Sequence, residues 1–246
     1  MGAVTRILVF QHHPLEHPGS LRDFLAADGI GWDAVHLDAG EAIPPLEGYD
    51  ALWVMGGPQD VWQEERHPWL KAEKTAIRAA VAERGMPFLG VCLGHQLLAD
   101  ALGGRVEGMK GRAEIGVREV ALTPAGEADP VLGGGGPRLT CLQWHAAEVT
   151  DLPRGAQVLA TSPASAIQAM RVGRRAYGLQ FHVEATAATV ADWAAISAYR
   201  CALEVGLGPG ELAPFEAEAA RRAPEFKRCA RRLYDRFMAL LPARAQ

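Results

Sequence analysis

The chain has 246 residues, 49% of them hydrophobic and 22% charged, which is typical of one α/β domain with an extension. Its net charge of −4 gives no reason to expect a nucleic-acid partner. No stretch approaches the roughly 20 apolar residues that a membrane span requires. The four cysteines are widely spaced, with no zinc-type pattern, and the first six residues contain no cleavable apolar segment. We therefore expect a cytoplasmic protein with reduced thiols, no metal and no membrane association.

The first half of the sequence alternates strand-like runs with helical patterns. Strands are predicted at 6–10, 34–37, 51–55 and 87–91, and helices directly after residue 20 and at 69–84. Ser20 is a candidate N-cap for the first helix, and Gly85 and Pro87 are stop signals for the second. Strands that alternate with helices favour an α/β fold with a doubly wound, mostly parallel sheet and helices on both faces.

The second half contains more strands and fewer helices. Strands are predicted at 117–122, 139–144, 157–160, 167–172 and 176–182, so part of the sheet is expected to be antiparallel or mixed. Helical patterns return at 186–203 and at 210–241, where Pro224 is expected to break the helix. The predicted domains are 1–205 and a helical extension, 206–246, packed on the same domain. The basic residues of that extension are interpreted as a solvated helix face.

One strand-to-helix junction carries a candidate nucleophile. Cys92 stands in the run 90–96 (Gly-Val-Cys-Leu-Gly-His-Gln), between a buried strand pattern and a helical one. A turn this tight forces its central residue into a strained conformation, and the flanking glycines remove Cβ atoms that would collide there. A helix N-terminus also favours the thiolate form of a cysteine. The alternative is a buried structural cysteine, which is the common state of an isolated free thiol.

A second motif supplies a candidate base. In the run 177–184 (Tyr-Gly-Leu-Gln-Phe-His-Val-Glu), His182 and Glu184 are two apart, so in a strand they would project from the same face. The carboxylate could then hold one ring nitrogen and leave the other for a thiol, as in a nucleophile–base–orienter triad. The alternative is a solvated pair at a strand edge.

These motifs together resemble a known family. The elbow around Cys92, the run 177–184 and the upstream Gly56-Gly57-Pro58 are similar to those of class I (triad) glutamine amidotransferases, in particular the amidotransferase part of GMP synthase and its free-standing relatives. The resemblance covers about residues 5–200 and implies a flavodoxin-like core. It also implies that Cys92 is the nucleophile, His182 the general base and acid, and Glu184 its orienter.

The resemblance implies further site residues. The backbone amides of Gly57 and Leu93 would form the oxyanion hole. Four residues would bind substrate: Gly56, Gln96, Gln143 and Trp144. The family commonly has proline between the triad histidine and glutamate, whereas this chain has Val183. Because residue 183 would point away from its neighbours, we expect a changed strand end and an intact triad.

The implied chemistry is hydrolysis of the glutamine side-chain amide through a cysteinyl thioester, which releases ammonia and needs no cofactor. About 40 residues follow the predicted domain, too few for an ATP-using domain, and the sequence has no phosphate-binding loop. We therefore expect either a separate synthetase subunit or an independent hydrolase. The alternatives are a γ-glutamyl peptide hydrolase with the same triad and a non-catalytic regulatory protein. A partner could also be needed to order the segment at Gly56 and Gly57.

The remaining histidines and cysteines are expected to be structural. His12 and His13 follow the first strand and are interpreted as surface-loop residues that could also line a pocket. His95 is expected to pack behind the elbow. The other three cysteines are interpreted as core residues; they are Cys141, Cys201 and Cys229.

Overall fold

A computed structural model describes residues 5–111 and 113–242. The expectations for the first residues and for the outer ends of both predicted domains therefore lie partly outside the described residues.

The strands are β1 (Arg6–Gln11), β2 (Gly31–His36), β3 (Ala51–Val54), β4 (Phe88–Val91), β5 (Arg105–Gly108), β6 (Glu114–Leu122), β7 (Arg138–His145), β8 (Ala147–Asp151), β9 (Ala156–Thr161), β10 (Ala169–Val172) and β11 (Ala176–Leu179). The helices are α1 (Leu21–Ala27), α2 (Trp69–Arg78), α3 (Leu93–Ala101), α4 (Pro124–Glu127), α5 (Thr189–Ala194), α6 (Ser197–Gly206) and α7 (Leu212–Met238).

One sheet of nine strands organises the fold, in the order β2-β1-β3-β4-β11-β10-β9-β6-β7. The strands from β2 to β11 are parallel to their neighbours, and β10, β9, β6 and β7 continue the sheet with antiparallel pairings. Strands β5 and β8 form a separate pair. The predicted α/β class is confirmed, and so is the change of character in the second half of the chain.

Alternating side chains of the parallel strands explain why helices cover both faces. In β1, Ile7 and Val9 pack in one apolar cluster, which also receives side chains of α1 and α7. Their neighbours Leu8 and Phe10 pack in a second cluster on the opposite face, with side chains of α2 and α3. A strand buried on both faces in this way needs a continuous apolar run, which is what the sequence provides.

Helix α7 connects the two halves of the sheet. Its N-terminal part, up to Phe226, contributes Phe215 and Phe226 to a third apolar cluster, which covers the antiparallel strands together with α5 and α6. Its second half contributes Tyr234 and Phe237 to the cluster beside α1. The exposed side carries charges, and Lys227, for example, pairs with Asp23 of α1 at 3.1 Å. None of the described helices has the length and apolar character needed to cross a membrane.

Two sequence expectations about local structure were wrong, namely the helix break at Pro224 and the cap at Ser20. Pro224 lies inside α7 without ending it. Proline has no N–H group, so one helix carbonyl loses its helical donor, but Pro224 is exposed and water can replace that donor. Buried side chains before and after Pro224 hold the helix in place. The helical pattern predicted at 186–203 is confirmed, and it is divided into two helices, α5 and α6. Ser20 stands at the start of α1, but its side chain makes no capping hydrogen bond.

The two prolines of α7 give a matched test of this packing. Pro224 removes a hydrogen bond in the helix interior, whereas Pro214 lies in the first turn, where the N–H would have no helical acceptor. We expect Pro224→Ala to raise the free energy of unfolding by about 1–3 kcal/mol and Pro214→Ala to change it little. Denaturant titration measures both values. Equal effects of the two substitutions would contradict an uninterrupted α7.

Candidate active site

Cys92 occupies a strained turn between β4 and α3. Its φ of 52° and ψ of −105° make it the one non-glycine residue with positive φ in residues 5–111 and 113–242. A Cβ atom on Gly90 would lie 2.3 Å from the carbonyl oxygen of Gly94, and one on Gly94 would lie 2.0 Å from that of Val54. The flanking glycines are therefore required by close backbone contacts, as the sequence predicted.

The elbow is joined directly to the neighbouring strand. The amide of Cys92 donates to the carbonyl of Leu179, the last residue of β11, at 2.7 Å. The Gln180 side chain donates through Nε2 to Cys92 Sγ at 3.6 Å, and its own Oε1 accepts from Gln96 at 3.0 Å. Sequence reasoning missed this role of Gln180, although the residue stands within the motif at 177–184.

His182 and Glu184 lie side by side, but not for the reason that the sequence suggested. Strand β11 ends at Leu179, and His182 instead exchanges two backbone hydrogen bonds with Leu142 of β7, at 2.9 and 3.0 Å. The carbonyl of Glu184 accepts from the amide of Ser20, at the start of α1, at 2.8 Å. The side chains meet at 2.7 Å between His182 Nδ1 and Glu184 Oε1.

The surroundings of His182 favour its protonated form. Burial opposes the charge, but the attraction of Glu184 and the hydrogen bonds to Cys92 and Glu184 outweigh it, so the pKa of His182 is raised well above its usual value. The Trp193 ring packs edge-on against the imidazole, with centroids 4.6 Å apart. On the other face of the chain, Val183 packs in the apolar core, so it points away from its neighbours, as expected.

A small pocket of about 180 Å³ opens beside Cys92. The sequence-predicted residues that line it are Gly57, Leu93, Gln96 and Trp144. The amide of Gly57 donates to no acceptor among the residues that the structure describes, and Leu93 begins α3, where amides lack a helical acceptor. Both amides are therefore available to a bound group.

Two predicted substrate residues do not line this pocket. The carbonyl of Gly56 faces away, accepting from His12 Nδ1 at 2.8 Å. The Gln143 side chain is fully buried and donates to Gln168 at 2.8 Å. Gln96 lines the pocket, and its amide group is engaged with Gln180 and with the carbonyl of Ala147.

Sequence reasoning missed other buried polar groups at the site. Glu16 accepts a hydrogen bond from the hydroxyl of Tyr199, and burial raises the pKa of its carboxyl group. His12 is fully buried and bonded to Glu73, so the surface-loop interpretation was wrong for this residue. Only its place after the first strand, at the carboxyl edge of the sheet, could have indicated a site role.

The structural histidine and cysteine expectations were mostly correct. His95 is fully buried behind the elbow, and burial lowers its pKa to about 3. Cys141 is buried and Cys229 half-buried, whereas Cys201 is exposed and is not a core residue. Within the described ranges, His, Cys, Asp and Glu side chains form no group of three or more that could hold a metal ion.

Comparisons with known proteins identify the family to which this chain is similar. Residues 21–192 match the sequence profile of the family described as glutamine amidotransferase class-I. The glutamine amidotransferase-like protein YfeJ of Salmonella typhimurium is 36% identical over 191 residues, which cover 75% of this chain and 78% of that protein. A glutamine-hydrolysing GMP synthase subunit of Natronomonas pharaonis is 33% identical over 188 residues, covering 74% of this chain and 89% of that protein. The crystal structure of a glutamine amidotransferase from Thermotoga maritima matches with a TM-score of 0.84 and 31% identity, over 95% of this chain and 97% of that chain.

The contact between His182 and Glu184 predicts a measurable titration. In Glu184→Gln the Coulombic attraction is lost while burial remains, so the pKa of His182 should fall. The raised pKa of His182 stabilises the folded wild-type protein most at pH values below the pKa of histidine in the unfolded chain, about 6.5. This contribution disappears as the pH rises through the pKa of His182 in the folded protein. NMR of labelled histidine rings measures the shift, with His95 as the internal control that stays neutral in both proteins. An unchanged His182 titration would contradict the assigned pairing.

Proposed function

We propose that this chain, which belongs to the class I glutamine amidotransferase family, hydrolyses the side-chain amide of glutamine and releases ammonia. One observation carries the proposal. Cys92 stands in a strained elbow beside a small pocket, its thiol is one of the groups that raise the pKa of His182, and His182 Nδ1 is held by Glu184 Oε1 at 2.7 Å. This is the order of contacts that a nucleophile, a base and an orienting carboxylate require.

The proposed reaction has two steps. The Cys92 thiolate attacks the amide carbon, and the resulting oxyanion accepts hydrogen bonds from the amides of Gly57 and Leu93. His182, protonated as its raised pKa favours, gives a proton to the departing nitrogen, which leaves as ammonia. A γ-glutamyl thioester remains on Cys92. His182 then takes a proton from water, which attacks the thioester and releases glutamate and the thiolate.

The surroundings of the proposed triad keep these groups in place. Glu184 holds His182 through Nδ1, so Nε2 is directed to the thiol, and Trp193 covers the imidazole ring. For the substrate, we propose that the backbone next to Trp144 and the side chain of Gln96 contact the amino-acid end of glutamine. The pocket of about 180 Å³ suits one small molecule of this size.

The destination of the ammonia is proposed from the relatives. A protein similar over 74% of this chain is named as one subunit of a GMP synthase, which supports a partner in the form of a separate synthetase subunit. An independent hydrolase acting on glutamine or on γ-glutamyl peptides would use the same groups. The substrate therefore has to be decided by turnover.

The direct test is release of ammonia from glutamine by the purified chain, with γ-glutamyl dipeptides in parallel. We expect Cys92→Ala to lower the rate by at least about 10³-fold, because no other group replaces the nucleophile. Cys201→Ala is the matched control, since it removes an exposed thiol, and should leave the rate unchanged.

Each outcome assigns the protein differently. Turnover of glutamine that depends on Cys92 supports the proposed glutaminase without a partner. Turnover of dipeptides alone assigns a γ-glutamyl hydrolase. No turnover of any substrate, together with no labelling of Cys92 by a glutamine-like electrophile, would favour a non-catalytic regulatory protein on this fold.

A further inference from the structure

A buried ionisable pair lies directly behind the segment that contains Gly57. His12 follows β1 and Glu73 belongs to α2, and both side chains are fully buried. His12 Nε2 lies 2.8 Å from Glu73 Oε1, and His12 Nδ1 lies 2.8 Å from the carbonyl oxygen of Gly56. The proposed reaction uses neither side chain, so this pair is left without a role.

The hydrogen-bond partners of His12 determine which of its ring nitrogens carry a proton. A carbonyl oxygen can only accept, so the Gly56 contact requires a proton on Nδ1. Burial opposes a charged ring, but the attraction and hydrogen bond of Glu73 and the Gly56 contact outweigh it, and the pKa of His12 is raised. The ring also stacks on Trp69, with centroids 5.4 Å apart and planes 17° from parallel. His12 is therefore a fixed donor to Gly56.

Peptide geometry transmits this contact to Gly57. The C=O of Gly56 and the N–H of Gly57 belong to one peptide unit, and they point in opposite directions when it is trans. No cis peptide bond occurs in the described chain. Because the Gly56 carbonyl points to His12, the Gly57 N–H points to the opposite side. There, Gly57 lines the pocket together with Cys92 and Leu93.

We propose that His12, held by Glu73, is a positioning residue that keeps the Gly57 amide aimed at the oxyanion. Two adjacent glycines impose little conformational preference of their own. Without the His12 contact, this peptide could rotate and turn the Gly56 oxygen toward the pocket, where it would repel the developing charge. The inference rests on the proposed function, because it supplies the donor that the amide-hydrolysis reaction needs.

Two substitutions of His12 separate its two contacts. Asn places an amide nitrogen at the position of Nδ1, so His12→Asn keeps a donor for Gly56. Gln places its amide nitrogen at the position of Nε2, so His12→Gln keeps a hydrogen-bond donor for Glu73 and loses the donor to the Gly56 carbonyl. For hydrolysis of glutamine, we expect His12→Gln to lower kcat by about 10²–10³-fold, as for loss of one oxyanion donor, with KM nearly unchanged. His12→Asn should retain kcat within about tenfold of the wild-type protein.

Alkylation of Cys92 by iodoacetamide is the control reaction. It displaces iodide at a saturated carbon and forms no carbonyl oxyanion, so it reports the thiol and His182 without the oxyanion hole. We expect both variants to be alkylated at the wild-type rate. The proposal is overturned if His12→Asn is as slow as His12→Gln in hydrolysis. It is also overturned if alkylation falls as far as turnover, since His12 would then support the whole site.

A second readout does not depend on activity. Amide hydrogen exchange of the segment 56–59 should be faster in His12→Gln than in His12→Asn and the wild-type protein, because only the Gln variant frees the Gly56 carbonyl. Equal exchange in all three proteins would overturn the proposal. If the wild-type protein hydrolyses no glutamyl amide and a glutamine-like electrophile does not label Cys92, the proposed function fails, and this exchange comparison alone decides whether His12 holds the Gly56–Gly57 peptide.

Discussion

The turn at Cys92 is the constraint on which the rest of the site depends. A non-glycine residue with positive φ carries strain of about 1–3 kcal/mol, and it persists here because the surrounding backbone leaves no other arrangement. Gly90 and Gly94 approach neighbouring carbonyl groups more closely than any Cβ would allow. The Cys92 amide is bonded to the end of β11. The thiol is therefore held where β4 ends and α3 begins, and the pocket forms around that point.

The parallel half of the sheet brings the other groups to the same edge. The segments after β1, β3, β4 and β11 carry His12, Gly57, Cys92 and His182 in turn. This edge includes the place where β1 lies between β2 and β3, a change in strand order of the kind beside which α/β folds place ligands. The antiparallel half of the sheet contributes backbone contacts that hold the site in place. Strand β7 fixes the backbone of His182, and the start of α1 fixes that of Glu184.

Buried ionisable groups surround this edge in pairs. His182 pairs with Glu184, His12 with Glu73, and Glu16 with the Tyr199 hydroxyl. Removing a charge from water is costly unless a partner compensates it. Losing one member of such a pair would therefore leave the other uncompensated in the interior. The pairs thus determine more than stability, because each orients a backbone or a side chain that borders the pocket.

Features that depend on local sterics and spacing could be predicted from the sequence. The glycines beside Cys92 predicted the elbow, and the alternation of strands and helices predicted the α/β sheet. The motif at 177–184 predicted that His182 and Glu184 meet, but not the backbone contacts that hold them. What those residues contact was determined by the folded chain. The contact between His12 and Glu73 joins residues 61 positions apart, and that between Glu16 and Tyr199 spans 183 positions. Tertiary packing also let α7 continue through Pro224, buried Gln143 away from the pocket, and exposed Cys201. Local pattern sets which conformations a segment prefers. Burial and hydrogen-bond partners come from segments distant in sequence, which only the folded chain brings into contact.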